Sequence, residues 1–391
     1  MNPGDFYTTI GYTLRNEASL IRGGSAYFNA LETLIQNAQK SIHFQVYIFD
    51  DDETGQRIAK ALTDASKRGV KVHLLIDGYA SQYLSNSFIQ NLTKSGIHFR
   101  WFEPVFRGKT FYFGRRMHHK VVVADGSSAL VGGMNISNRY NDLPGRQAWL
   151  DWAVSVSGEI ATKLDVLSVK MWNRSALVKT KLALPVPAVN RVQTECKVRM
   201  RRNDWIFRKI EISGSYLEMF RKAEKEIIIM SGYFLPGRLI RKALTRAAKR
   251  GVEISIIIAG ESDIKMAKAA ERFWYPFLLR HNIRIYEYQT GILHGKMSVY
   301  DQKWATIGSY NVNNISAYAS IELNLDILNQ PFGKTATDEL KKIITNNCIE
   351  ITAERYSKQT ILNRFIYWWS YEVYRLVLFL FTFYFKQQHK E

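Results

Sequence analysis

The chain has 391 residues, 46% of them hydrophobic, and a formal net charge of +19 with a sequence pI near 9.7. Such a length exceeds one ordinary core and points to two comparable domains plus extras, while the charge excludes cationic partners in favour of anionic ones, either nucleic acid or an acidic membrane surface. The two cysteines, Cys196 and Cys348, lie outside any CxxC or Cys/His spacing, which points to a reducing compartment and away from a structural zinc.

In chain order, Met1-Asn2-Pro3-Gly4-Asp5 offers neither the basic nor the apolar region of a signal peptide, so the body of the protein is expected in the cytoplasm. An apolar strand is predicted over 42–49, then an amphipathic helix stopped by Gly69, a β-branched strand over 72–77, a helical stretch, and a short strand over 98–102. The same succession returns with a strand over 226–234, a helix stopped by Gly251, and strands over 254–259 and 283–288. Lys60-Ala61-Leu62-Thr63 through Lys67-Arg68-Gly69-Val70 reappears as Lys242-Ala243-Leu244-Thr245 through Lys249-Arg250-Gly251-Val252, 182 residues later. Alternating strands and helices, used twice, predict two pseudo-symmetric α/β domains, each a mixed sheet flanked by helices.

A second repeat carries the chemistry. His118-His119-Lys120-Val121-Val122-Val123-Ala124-Asp125 precedes Gly132-Gly133-Met134-Asn135, and His294-Gly295-Lys296-Met297-Ser298-Val299-Tyr300-Asp301 precedes Gly308-Ser309-Tyr310-Asn311. One offset, 176 residues, relates every polar member. By average residue usage, HxKxxxxD arises by chance about once in 16,000 positions, so two copies in matched register are not accidental. On a strand, residues i and i+2 share a face, which places His118 beside Lys120 and His294 beside Lys296. Residues 129–131 read as a return strand that brings Asn135 back to His118, and the same logic brings Asn311 to His294. Two imidazoles, two ammonium groups and two carboxamides would then surround a phosphate and stabilise charge as it develops. Asp125 and Asp301 close each motif at a turn, where an aspartate serves turn geometry as readily as catalysis. His119 has no lysine two residues on and reads as a bystander.

At these residues the chain resembles the phospholipase D superfamily, whose signature is HxKxxxxD followed by G[GS]xN, here present twice. The resemblance runs from about residue 20 to about residue 345. It is nearest to bacterial cardiolipin synthases of the short class without N-terminal transmembrane helices, through Phe113-Gly114-Arg115-Arg116-Met117, Asp51-Asp52-Glu53-Thr54-Gly55 and Gly232-Tyr233-Phe234-Leu235-Pro236-Gly237. The resemblance implies one active site shared at the domain interface, in which one histidine attacks phosphorus and the other protonates the departing alcohol. It suggests His118 as nucleophile and His294 as acid/base, the reverse being open by pseudo-symmetry. It implies no metal and no cofactor, with Asn135, Asn311 and Ser309 binding the substrate phosphate. A carboxylate downstream of each motif would orient each histidine: Glu322 in the second half, and in the first half Asp151, after extra residues in the loop 140–147. Gln45 stands where many relatives have an acid.

The domains expected are a first phospholipase D-like domain over 1–160, a basic linker over 161–208, a second such domain over 209–347, and an aromatic tail over 348–391. Lys179, Lys181, Arg191, Lys197, Arg199, Arg201 and Arg202 give the linker its charge, available to anionic headgroups or simply solvated. In the tail, Phe365 to Trp369 and the apolar run 376–385, interrupted upstream by Glu372 and Arg375, suit an interfacial or re-entrant anchor better than a spanning helix. The alternative is a terminal helix docked on the core. The stretch 106–113, which alternates aromatics and bases, suits a lipid or a stacked nucleic acid. The partners expected are an anionic phospholipid, phosphatidylglycerol, and the cytoplasmic side of the cell membrane, with nucleic acid disfavoured. The function implied is transfer between two phosphatidylglycerol molecules to give cardiolipin and glycerol through a phosphohistidine. A phospholipase D or a phosphatidyltransferase with another acceptor is one alternative, and a metal-independent nuclease the other.

Overall fold

Gly69 and Gly251 end the repeated helices in the same manner, with φ of +91° and +87°. Beyond each glycine, the Val70 and Val252 N–H groups reach back to the carbonyls of Ala65 and Ala247 at 3.2 and 3.3 Å, closing both helices with a left-handed cap. The computed structural model describes residues 11–104, 106–107, 110–111, 116–174, 181–185, 192–204, 207, 209–313 and 320–388, with backbone alone for 106–107, 110–111 and 378–388.

The first half supplies strands β1 (Thr13–Arg22), β2 (Ser41–Val46), β3 (Lys71–Asp77), β4 (His98–Phe102), β5 (Arg116–Met117), β6 (Lys120–Ala124), β7 (Ser128–Gly132) and β8 (Trp152–Gly158). The second supplies β9 (Glu195–Asp204), β10 (Glu226–Ser231), β11 (Glu253–Ala259), β12 (Arg284–Tyr288), β13 (Met297–Tyr300), β14 (Trp304–Gly308), β15 (Ser320–Leu328) and β16 (Cys348–Glu350). Pairing runs β4-β3-β2-β6-β7-β8-β1 in one half and β9-β15-β14-β13-β10-β11-β12-β16 in the other. The antiparallel β1–β9 pair joins the two into one mixed sheet. Strands β2 to β4 and β10 to β12 are parallel, as their crossover helices require. Each half has its own apolar core, and a third core around Val121, Val154, Met297 and Leu325 draws on both.

Two expected boundaries need correction. The segment 161–208 is not a solvated linker: it contains most of helix α1 (Glu159–Asn173) and the whole of β9. Arg199 is buried, with Nε 2.8 Å from Asp326 and Nη2 2.6 Å from Glu218, so its charge is compensated inside the fold rather than offered to headgroups. Arg202 is buried as well, while Lys181 is exposed; Lys179 and Arg191 lie outside the described residues. The tail does not begin at residue 348, because β16 pairs with β12 and extends the second sheet to Glu350.

Beyond it, helix α2 (Ile361–Gln388) docks on helix Lys265–Arg272 and the turn that follows: Tyr371 stacks on Phe273 at 4.6 Å and meets Trp274 edge-on. Its inward stripe is Tyr367, Ser370 and Tyr374, while Leu362, Phe365, Ile366, Trp368, Trp369 and Leu376 are exposed. The helix therefore both docks and presents an apolar outer face. Among the described residues, no helix is long and apolar enough to cross a membrane. The side chains of 106–113 lie outside the described residues.

Candidate active site

Strand β6 begins at Lys120 and β13 at Met297, so both motif histidines lie just ahead of their strands rather than on them. The expected shared strand face is replaced by a tighter local device. Lys120 Nζ donates to the His118 carbonyl and Lys296 Nζ to the His294 carbonyl, so each lysine fixes the backbone of the histidine two residues before it.

That backbone is then passed across the interface. The His118 N–H donates to the Ile321 carbonyl at 3.0 Å, next to the parallel pairing of β5 with β15, and the His294 N–H donates to the Leu150 carbonyl at 2.8 Å. The residue after each acceptor is acidic and wholly buried. In consequence His118 Nδ1 lies 3.0 Å from both oxygens of Glu322, and His294 Nδ1 lies 2.6 Å from Asp151 Oδ2. The carboxylates thus serve the histidine of the opposite half, which corrects the expectation that each serves its own motif. A carboxylate only accepts, so the proton sits on each Nδ1 and the Nε2 lone pair is left for chemistry.

Glu322 is one methylene longer than Asp151, and the neighbouring residue differs to match. Ser309 Oγ donates to Glu322 Oε2 and accepts from the Leu323 N–H at 3.1 Å, so this hydroxyl steadies the carboxylate and is not free for phosphate. At Gly133, a Cβ would stand 2.4 Å from Asp151 Oδ1, so only glycine leaves room there.

Both histidines line one cleft of about 400 Å³, together with Asn135, Asn311, Glu322, Tyr47, Tyr140, Trp149, Tyr233 and Asp263; Tyr374 and Val377 of α2 form part of its wall. Asn135 accepts from the Ile48 N–H at 3.0 Å and donates to the Tyr140 hydroxyl at 2.9 Å, which faces His294 Nε2 at 3.5 Å. Asn311 accepts from the Tyr233 N–H at 3.3 Å, and no described residue takes its amide protons. Nor does any described residue bond His118 Nε2. No motif points to Tyr47, Tyr140 or Trp149, whose rings lie 4.9 Å from His118 and 5.1 and 6.1 Å from His294; the length of the loop after Asn135 is the one clue.

Asp125 and Asp301 are not in the cleft. Asp125 accepts from the N–H groups of Gln39, Lys40 and Ser41, and Asp301 from those of Glu224, Lys225 and Glu226. Each caps the start of the strand beside its motif, from a residue with φ of +55° or +48°. His119 is buried against Gln45 Oε1 at 2.7 Å, which takes Gln45 away from the reacting groups.

The electrostatics follow from burial beside like charges. Burial pushes Lys120 down to about 7, against the pull of Glu322 and with the help of Lys296. Lys296 is lowered by burial in turn. His118 is lowered by burial, partly offset by Glu322, whereas His294 falls well below the usual range under burial and the charges of Lys296 and Lys120. Burial raises Asp151 to about 6, opposed by Lys296. The two buried lysines behind the histidines supply positive charge that would favour a phosphodiester anion at this site. Among the described residues, no group of three or more His, Cys, Asp or Glu side chains could hold a metal ion.

The chain matches a family described as cardiolipin synthase, PLD-like domain, over residues 31–164 and 216–344. It is 34% identical to cardiolipin synthase B of Escherichia coli (strain K12) over 361 residues, 91% of this chain and 85% of that one. The cardiolipin synthase B of Salmonella typhi is also 34% identical, over 92% of this chain and 86% of its own. Among solved structures, the phosphatidylserine synthase of Haemophilus influenzae Rd KW20 superposes with a TM-score of 0.72 at 16% identity, covering 95% of this chain and 96% of that one. The polyphosphate kinase of Porphyromonas gingivalis has a TM-score of 0.60 over 87% of this chain and 49% of that one, also at 16% identity.

Proposed function

The chain belongs to the cardiolipin synthase family of phospholipase D-like domains, and from that premise we propose that it joins two phosphatidylglycerol molecules into cardiolipin with release of glycerol. The reading rests on one observation: two imidazoles, each with Nδ1 tied to a buried carboxylate, face a single cleft.

His118 Nε2, unblocked by any described residue, attacks the phosphorus of the first lipid. The new N–P bond forms as the bond from phosphorus to the glycerol oxygen breaks, and His294 Nε2–H gives that oxygen its proton. The free glycerol hydroxyl of a second phosphatidylglycerol then returns a proton to His294 Nε2 and attacks phosphorus, and the N–P bond breaks to restore His118. Bound phosphodiester charge offsets the lysines and favours the protonated His294 that the first step needs, with Asp151 as its partner. Lys120 and Lys296 contribute positive charge from behind the histidines, and the Asn311 amide, which lines the cleft, donates to a phosphoryl oxygen. The apolar outer face of α2, whose inner residues Tyr374 and Val377 wall the cleft, supports a seat at the membrane interface, with the cleft mouth near the headgroups.

Incubation of the purified protein with labelled phosphatidylglycerol vesicles tests this. Cardiolipin and glycerol in equal amounts are expected. Phosphatidic acid as the sole product would make the protein a hydrolase, and cleavage of single-stranded DNA with no lipid product would make it a nuclease.

A further inference from the structure

The cleft contains one acidic residue that orients no histidine. Asp263 follows β11, and Tyr233 follows β10, at the carboxyl ends of neighbouring parallel strands, where α/β sheets bind their ligands. The Tyr233 hydroxyl donates to Asp263 Oδ1, and Ser262 Oγ reaches the same oxygen at 3.3 Å. Among the described residues nothing donates to Oδ2 and no lysine or arginine pairs with it. Neighbouring carboxylates are engaged: Asp151 and Glu322 by the histidines, Asp50 by Arg139 at 3.1 Å, and Asp77 by the Met117 N–H at 2.8 Å. In the first half, the corresponding ground after β3 is closed, since Ser81 Oγ donates to the Tyr47 carbonyl and accepts from the Phe49 N–H.

A free carboxylate opposes the binding of a phosphate anion, so the phosphate does not account for it. Two buried lysines in the same site oppose an ammonium group. A neutral group rich in O–H donors remains, and the charge of Asp263 also favours protonation of His294, the histidine that exchanges a proton with the alcohol. We propose that Asp263 Oδ2 and the Tyr233 hydroxyl oxygen form a polyol subsite on the His294 side of the cleft, holding the hydroxyl next to the reacting oxygen of a glycerol headgroup. This rests on the phosphatidyl-transfer reading above.

The test offers labelled glycerol and 1-propanol together as acceptors, with phosphatidylglycerol vesicles as donor, to wild type, Asp263→Ala and Asp263→Asn. 1-Propanol keeps a reacting hydroxyl and lacks the neighbouring one. The ratio of glycerol transfer to propanol transfer is expected to fall roughly tenfold in Asp263→Ala, the scale of a lost hydrogen bond to a charged group. An unchanged ratio, or a proportional fall of both products, overturns the subsite alone. If Asp263→Ala does not fold by circular dichroism, the isosteric Asp263→Asn decides. Wild type that transfers to neither alcohol overturns the phosphatidyl-transfer reading and the subsite with it.

Discussion

The two halves make the same pair, an imidazole on a buried acid, out of different parts. His118 rests on a glutamate steadied by Ser309, with Tyr47 against its ring; His294 rests on an aspartate fitted over Gly133, between Tyr140 and Trp149. The Ile48 and Tyr233 N–H groups both donate to a motif asparagine, which aligns Tyr47 with Gly232, so all three aromatic neighbours come from the first half. Symmetry in the backbone thus coexists with asymmetry in the chemistry. One Nε2 is open to the cleft, and the other faces a hydroxyl. That difference is what lets two equal residues take unequal roles.

The sharpest way to break the comparison is to label it. With phosphorus-labelled donor and an alkaline quench, wild type is expected to carry a covalent adduct on His118 that His118→Ala does not form, while His294→Ala, slowed in both steps, loses turnover roughly a thousandfold or more. Label on His294 in the His118→Ala protein would reverse the assignment.

The next effect lies beneath the site. Rings of His43, His73 and His98 stack across β2, β3 and β4 at 4.8 and 5.0 Å, where the second half has Ile228, Ser255 and Arg284 in the same register. Burial pushes His43 down to about 4 and His73 to about 3. Both stay neutral in the fold, while an unfolded chain takes up their protons below about pH 6.5. The stability they permit is therefore full above that pH and is lost as pH falls, by about 3 kcal/mol between pH 7 and pH 5. Hydrogen exchange at pH 5 should show strands β2 and β3 opening before β10 and β11; the opposite order would remove the histidine stack as the cause.

The smallest effects compare the carboxylate supports. Gly133→Ala forces a Cβ against Asp151 and should cost about 1 to 3 kcal/mol in thermal melts, with slower turnover. Ser309→Ala leaves Glu322 its contact with His118 and should cost about 1 kcal/mol and a few-fold in rate. Equal losses would show that the two supports are interchangeable.

How much of this was legible follows the range of each interaction. The repeat, its helix stops and the motif asparagines rest on local spacing, and the structure has them in the expected order. Strand β9 reads as a linker because its arginines suggest solvent, although Cys196, Val198 and Met200 alternate with Lys197, Arg199 and Arg201 as strand residues do. The compensating Asp326 lies far along the chain, and no local pattern announces it. The exchange of Asp151 and Glu322 was hidden for the same reason, since it depends on β5 meeting β15 across the interface. Ser309 suggests a phosphate contact from sequence because a hydroxyl next to a motif looks available until its carboxylate partner is in view.

Exchange of acids between halves makes the catalytic state all-or-none. A small separation at the seam strips both imidazoles of their orienting groups at once, while the central strands of each half keep their own partners. Mild denaturant should therefore silence the enzyme well before it melts.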